Sequence, residues 1–565
     1  MIPERPHQRF WPEGVPREIS VPATSLWQHL ADSAARAPER IALVFFAREL
    51  RYRELAAQAE RLAGTLHALG VGRGDRVVLD MQNCPQLVIA HFAILRANAV
   101  VVPVNPMNRA AELGHFIADS GARVAFTTGD LAAELAAASD ALPPGQRLAH
   151  LIVTQFTDAF DGEAEGEEAP PAAWREWLVS RHPLPSLSGG AVLDWPEAIR
   201  AGRPVPVLEV GACDMAVLPY TSGTTGLPKG CVHLHASLAH NARAAHLWGA
   251  GDPWTVVLAV VPMFHISGMV GVMHAAIFAG ATLLVMPRWE RAVAGRLISR
   301  RRATSWNCIP TMVIDLLASP DFASFDLGSL RRIGGGGAAM PKAVAQQLLE
   351  RYGLVFMEGY GLTETAGASH ANPAGRCKQQ CLGIPHIGTD SRVVDTDTLR
   401  EMPQGETGEI VTHGPGVFAG YWNRPDADRA AFVEIDGKCF FRTGDIGRVD
   451  EEGYFFMTDR LKRMINASGF KVWPAEVELL MFGHPAVQEA CVVAMHDAYR
   501  GESVKAVVVR RKGHESTTAQ EIIDWCRTHM AVYKCPRKVQ FAEALPRSAS
   551  GKVMWRLLQD AERVA

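Results

Sequence analysis

The ten cysteines of this 565-residue sequence are scattered, mostly in apolar surroundings. Without a dense, short-spaced framework the chain is not a disulfide-stapled secreted scaffold, and a reducing compartment is expected. An excess of one charge is lacking too. Lys and Arg number 57 against 60 Asp and Glu, a formal net charge of -3, so no electrostatic footprint marks nucleic acid as a partner. The N-terminal MIPERPHQRFWPEG has no apolar core of signal-peptide length, and the closing AERVA is neither a peroxisomal nor a prenylation signal. A cytoplasmic location is therefore expected. Internal repeats and coiled-coil heptads are absent. One stretch, residues 268–286 (GMVGVMHAAIFAGATLLVM), is long enough to span a bilayer on length alone. Gly280 interrupts it and Pro287 closes it, which reads as buried helix, turn and buried strand, so no transmembrane segment is expected.

What is present is an ordinary globular composition, 48% hydrophobic and 21% charged, which excludes disorder and collagen-like repeats. The length corresponds to about three to four domains, or two where one is large. Residues 1–22 read as a tail docked on the body. From 25 to 130, helix-like segments (SLWQHLADSAARAP, ELAAQAERLAGTLHALG) alternate with strand-like ones (DRVVLDM, AVVVPVN, RVAFTT), the mark of a layered α/β architecture. Residues 158–200 open with the acidic, Pro-rich DAFDGEAEGEEAPPAA and read as a solvated surface insertion. Short β-branched runs resume at 214–340, a β-rich region covers 383–458, and 472–565 form a small α+β unit. The expected fold class is α/β: a large N-terminal domain of layered α/β subdomains with a β-rich subdomain, plus a small mobile α+β C-terminal domain.

The strongest chemical signal is YTSGTTGLPKG at 220–230, between a strand-like AVLP and a helix. Its glycines free the backbone to wrap an anion. The hydroxyls of Tyr220, Thr221, Ser222, Thr224 and Thr225 can donate to phosphate oxygens, and Lys229 adds a cation. Walker A spacing is not met, because Pro228 stands before the lysine. Cys377 and Cys381, flanked by His370 and His386, lack paired Cys-x-x-Cys spacing and read as a loop rather than a zinc site.

This loop resembles the phosphate-binding loop of the adenylate-forming superfamily, in its acyl-CoA synthetase branch, and the resemblance covers nearly the whole chain. Further motifs follow in that family's order: VPMFHISG at 261–268, GGGGAAMP at 334–341, GYGLTET at 359–365, FRTGD at 441–445, DRLKRMINASGFKVWPAEVE at 459–478 and PRSASGK at 546–552. The resemblance implies an acid–thiol ligase that uses ATP, Mg2+ and CoA. It implies that Thr221, Ser222, Gly223, Thr224, Thr225 and Lys229 hold phosphates. Gly336, Gly337, Ala338, Gly359, Tyr360 and Gly361 would form the adenine turn, with Tyr360 stacked on the base. Thr363 would donate to the α-phosphate, Glu364 hold magnesium, and Asp445 accept from the ribose hydroxyls. Arg460 would reach ribose or phosphate, Lys462 serve as hinge, and Gly469 line the pantetheine tunnel. Lys552 would be the catalytic cation of adenylation. His265 would sit beside the carboxylate in an orienting role, not as general base, because a thiol needs little help to attack a mixed anhydride. The implied domains are 1–461, an N-terminal AMP-binding domain, and 462–565, a mobile C-terminal domain.

The implied chemistry is attack of a carboxylate on the α-phosphorus of ATP, release of pyrophosphate, then acyl transfer to a thiol. VPMFHISG carries no Asp to bind an α-ammonium, which favours a plain carboxylic acid over an amino acid. Ile266, Met269, Ile309, Met340 and Ala366 are candidate pocket lining, and the glycine run suggests depth. A medium- or long-chain fatty acid is the expected substrate; an aryl or cinnamic-type acid, with Trp306 as a wall, is the alternative. The expected acceptor is free CoA rather than a carrier protein, and the resemblance admits a homodimer. A luciferase-like oxygenase and a non-catalytic nucleotide-binding relative are the other readings, the latter opposed by the intact Lys229, Glu364, Asp445, Arg460 and Lys552.

Overall fold

A computed structural model of the chain describes residues 5–21, 23–160, 168–221, 227–467, 470–497, 501–547 and 553–564. It forms two compact units, residues 1–390 with 412–441 and residues 391–411 with 442–565.

Two sheets organise the first unit. A seven-stranded sheet runs in the order His233–Leu234, Met215–Val217, Val100–Pro103, Arg76–Asp80, Val124–Thr128, His150–Thr154, Ala191–Asp194. Its strands are parallel except for the first pair. A nine-stranded sheet runs Ile384–Pro385, Gly367–Ala371, Phe356–Leu362, Arg332–Gly335, Ser305–Asn307, Val256–Ala259, Thr282–Val285, Ile41–Phe45, Arg48–Arg51. Its centre is parallel and both ends are antiparallel. Parallel strands are covered on both faces, which is why TVVLAVVP reads as an unbroken apolar run. Val257 and Ala259 face one core, Leu258 and Val260 another.

Residues 268–286 fold as expected. A π-helical turn Met269–His274 continues into Ala275–Ala279, Gly280 ends it at φ +73, and Thr282–Val285 enters the sheet. Gly fits this left-handed cap because it has no Cβ. Among the described residues no helix is long and apolar enough to cross a membrane. The tail also docks: the Trp11 ring stands edge-on to Trp248, centroids 5.1 Å apart, and Arg243 donates to the Ser20 carbonyl at 3.0 Å.

The region read as a solvated insertion is not one throughout. Residues 161–167 lie outside the described residues. Beyond them, helix Ala172–Val179 buries Leu178 and packs Trp174 and Trp177 on the core, and Ala191–Asp194 is an edge strand of the seven-stranded sheet. Trp177 Nε1 donates to Asp130 at 2.8 Å, and Arg288 lies over its ring at 3.9 Å. The acidic, Pro-rich opening hid these apolar anchors.

In the second unit, a sheet containing Ile465–Ala467, Phe470–Val472, Val487–Asp497, Gly501–Arg510 and Lys538–Phe541 is covered by helices. Pro474–Met481 and Ala519–His529 share one core with it, while Trp555 and Leu558 of the last helix pack on its other cluster.

Candidate active site

The phosphate-loop motif begins and ends in a short antiparallel ribbon, with Thr221 opposite Lys229 and Tyr220 opposite Gly230. Ser222, Gly223, Thr224 and Thr225 lie outside the described residues. Helix Ala110–Ser120 holds both stems from one face. Asp119 accepts the Tyr220 hydroxyl at 2.8 Å, and His115 Nε2 donates to the Pro228 carbonyl at 2.9 Å. The expectation that Tyr220 donates to phosphate is therefore corrected. Its hydroxyl is committed to Asp119; burial first, then this carboxylate, raises the phenol pKa and keeps it protonated.

The adenine-turn motifs lie at the carboxyl ends of two neighbouring parallel strands, the usual ligand edge of such sheets. Gly334 pairs with Met357 and Gly335 with Glu358. A Cβ on Gly335 would lie 1.8 Å from the Cys308 carbonyl oxygen, and one on Gly336 would lie 2.4 Å from that of Gly359. These glycines are required by close backbone approach and do not supply pocket depth, a second correction. Gly337 and Ala338 are exposed beyond the strand. Tyr360, half-buried between Gly359 and Gly361, leans on the buried His370 ring with centroids 5.4 Å apart.

Thr363 and Glu364 lie on a single 3-10 turn, Thr363–Thr365. The turn is clamped by residues remote in sequence. His233 Nε2 donates to the Thr363 carbonyl at 2.7 Å, and Asn241 Nδ2 to the Thr365 carbonyl at 2.8 Å. Phe418 N–H reaches the Glu364 carbonyl at 2.8 Å. Burial lowers the His233 pKa to about 4 despite the bond to Thr363, so this ring acts as a neutral donor. Glu364 is 9% exposed, and its Oε1 accepts the Tyr421 hydroxyl at 2.9 Å. Lys229 Nζ lies over the same Tyr421 ring, 4.8 Å from its centroid. Among the described residues no group of three or more His, Cys, Asp or Glu could hold a metal ion. Magnesium needs no such group, since it takes one or two protein carboxylates and keeps phosphate oxygens and water as its other ligands, and Glu364 fits it on that ground.

The acid-pocket motif is anchored by a residue outside every motif. Asn83, buried just after strand Arg76–Asp80, accepts from Met263 N–H at 2.8 Å and donates to the Val261 carbonyl at 3.2 Å. His265 follows. The residue is exposed, yet enough protein surrounds its ring for desolvation to lower its pKa below the ordinary imidazole value. A Cβ on Gly268 would meet the Pro262 carbonyl oxygen at 2.2 Å, so the turn into the helix needs glycine. The Ile266 carbonyl oxygen is 3.9 Å from a Cβ built on Gly367, which brings this motif beside the Glu364 turn.

Strand alternation separates the candidate lining. Ile266, Met269 and Ala366 belong to one core; Trp306, Met340 and Ile309 belong to, or pack on, the other. Trp306 is 1% exposed and stacks on Trp289, centroids 5.7 Å apart and planes within 9°. Its ring lies in the core opposite the one that holds Ile266 and Met269. Its neighbour Asn307, one residue along the strand, is the one that faces this helix and donates to the Gly271 carbonyl at 3.2 Å.

In the second unit Asp445 is fully buried and pairs across two strands with Arg460, Nε to Oδ1 2.5 Å. The FRTGD turn is held by Glu409, which accepts from Gly444 N–H at 3.2 Å and pairs with Arg442 at 2.5 Å. Asp459 accepts from Ala475 N–H at 2.6 Å at the start of helix Pro474–Met481. Gly469, Lys552 and the side chain of Lys462 lie outside the described residues. The 377–381 loop is tied to the sheet, with Cys377 Sγ donating to the Phe356 carbonyl at 3.3 Å and Glu358 accepting from Cys381 N–H at 3.1 Å.

Comparison with known proteins fits this geometry. Residues 30–422 match the AMP-binding enzyme family, and residues 476–552 match the AMP-binding enzyme C-terminal domain. A long-chain-fatty-acid–CoA ligase of Bacillus subtilis is 32% identical over 580 aligned positions, covering 100% of this chain and 99% of its own. A feruloyl-CoA synthase of Amycolatopsis is 34% identical over 509, covering 89% and 92%. The crystal structure of ATP-bound MatB from Rhodopseudomonas palustris superposes with a TM-score of 0.77 at 28% identity, covering 96% and 99%. The chain accordingly belongs to the AMP-binding enzyme family, and it is an AMP-forming acid–thiol ligase that acts on a carboxylic acid, ATP and CoA.

Proposed function

We propose that the acid is a medium- or long-chain fatty acid. The observation that carries this reading is the segment around His265. It is built on the apolar helix that starts at Ile266, with no carboxylate in 261–268 to bind an ammonium and with Trp306 turned to the opposite core. The whole-length likeness to a long-chain-fatty-acid–CoA ligase supports it. The likeness to a feruloyl-CoA synthase keeps an aryl acid as the second reading.

In this reading the phosphate loop and Lys229 hold the ATP phosphates, and Tyr360 with Gly336 and Gly337 takes adenine. Thr363 donates to the α-phosphate. The acid's oxygen attacks the α-phosphorus as the bond to pyrophosphate breaks. The thiol then adds to the acyl carbon, AMP leaves, and the thiol proton passes to solvent. Magnesium held by Glu364 would neutralise phosphate charge during the first step. Asp445 accepts from ribose, Lys552 is the cation of adenylation, and residues from 462 onward form the mobile domain with Gly469 at the thiol path. The acid is tested by CoA-dependent AMP release across fatty acids, benzoate and coumarate. Fatty acids should lead in kcat/KM by about tenfold or more, since each added methylene buried contributes about 0.8 kcal/mol. The reverse ranking would overturn the assignment.

A further inference from the structure

Tyr421 belongs to none of the motifs, yet two remote stretches of chain meet on its side chain. Its hydroxyl donates to Glu364 Oε1 at 2.9 Å, and the Lys229 ammonium lies 4.8 Å from the centroid of its ring. The ring itself is held. Tyr421 N–H donates to Asp428 Oδ1 at 2.7 Å, and its backbone bridges to Cys231, two residues beyond Lys229. Trp422 N–H reaches the Gly230 carbonyl at 2.8 Å. Phe418 packs edge-on against the phenol, centroids 4.8 Å apart.

We infer that Tyr421 is a positioning residue that presents the phosphate-loop lysine and the Glu364 carboxylate at a fixed spacing before nucleotide binds. The phenol fixes one carboxylate oxygen through a charge-assisted bond. The ring face holds the ammonium by its quadrupole, a contact that tolerates sliding as phosphate arrives. Acting through two side chains at once, this residue couples metal binding to nucleotide binding. The inference rests on the reading in which Glu364 holds magnesium and Lys229 holds phosphate.

The test uses Tyr421→Phe, Tyr421→Leu and Glu364→Gln in the full chain. Readouts are the thermal transition, acid-dependent pyrophosphate release against Mg2+ and ATP, and Mn2+ binding with ATP followed by electron paramagnetic resonance. Tyr421→Phe keeps the ring, so KM for ATP should stay within about twofold, while kcat falls and Mn2+ binding weakens by about tenfold, the worth of one hydrogen bond to a charged group. Tyr421→Leu should raise KM for ATP as well. On a Glu364→Gln background, Tyr421→Phe should cost no more than about a further twofold, as for two residues acting through one interaction. Unchanged Mn2+ binding in Tyr421→Phe, or a full additional loss on the Glu364→Gln background, would overturn the proposal. Unchanged metal dependence in Glu364→Gln would instead overturn the assignment of Glu364 on which it rests.

Discussion

Replacing Asn83 by alanine should damage acid recognition and spare nucleotide recognition. Asn83 makes two hydrogen bonds to the 261–263 backbone, accepting from Met263 N–H at 2.8 Å and donating to the Val261 carbonyl at 3.2 Å. Met263 is buried, so its N–H would lose its partner away from water. An orphaned buried donor costs about 1–3 kcal/mol, and the lost bond to the carbonyl adds about 1 kcal/mol. Roughly 2–4 kcal/mol of local stabilisation would vanish from the segment that carries His265. At about 1.4 kcal/mol per tenfold, an acid site that must re-form on binding loses about thirty- to several-hundredfold in apparent affinity. Initial rates of pyrophosphate release, with acid and ATP varied in turn, measure this directly. KM for the acid should rise by at least about tenfold while KM for ATP stays within about twofold, in the sense of lost uniform binding. Equal changes in both constants, or a lowered thermal transition with an unchanged acid KM, would refute the reasoning.

Tyr220→Phe frees Asp119 and one stem of the phosphate loop, and should raise KM for ATP about three- to tenfold with the acid KM unchanged, measured in the same assay. Trp306→Phe should lower stability by about 1–3 kcal/mol in denaturant titration while leaving the ranking of acids unchanged, because the ring packs on Trp289 in the core opposite Ile266 and Met269. Burial holds His29, His91, His370 and His386 at about 3 and His233 and His235 at about 4. These folded values lie below the unfolded value of 6.5, so the unfolded chain binds more protons. Stability is complete above about pH 6.5 and falls with pH toward the folded values, by about 1.4 kcal/mol per pH unit for each ring. The denaturant midpoint should drop between pH 7.5 and 5.5; an unchanged midpoint would contradict the burial of these rings.

Elements built on local signals were legible in the sequence. The break at Gly280 and the β-branched runs at 256–259 and 124–128 fold as their patterns indicate, because a left-handed cap and a strand buried on both faces each leave a local mark. The motif order also brought the 336–338 and 359–361 glycines together, since parallel neighbours place their carboxyl ends at one edge. Partners contributed from elsewhere left no such mark. Nothing near Tyr220 announces Asp119, nothing near Met263 announces Asn83, and Tyr421 meets Glu364 only through the fold. Trp306 and Asn307 are adjacent, and only the register of their strand decides which faces the helical turn that carries Gly271. Composition misled in the 158–200 region, where acidic and proline-rich residues masked Trp174, Trp177 and an edge strand.

The central claim is that this chain joins an acid to the α-phosphorus of ATP before any thiol takes part, using the Glu364 turn. Exchange of labelled pyrophosphate into ATP measures that step alone. The account predicts exchange that requires the acid, proceeds without CoA and collapses in Glu364→Ala. Exchange that ran without acid, that required CoA, or that survived Glu364→Ala intact would contradict it.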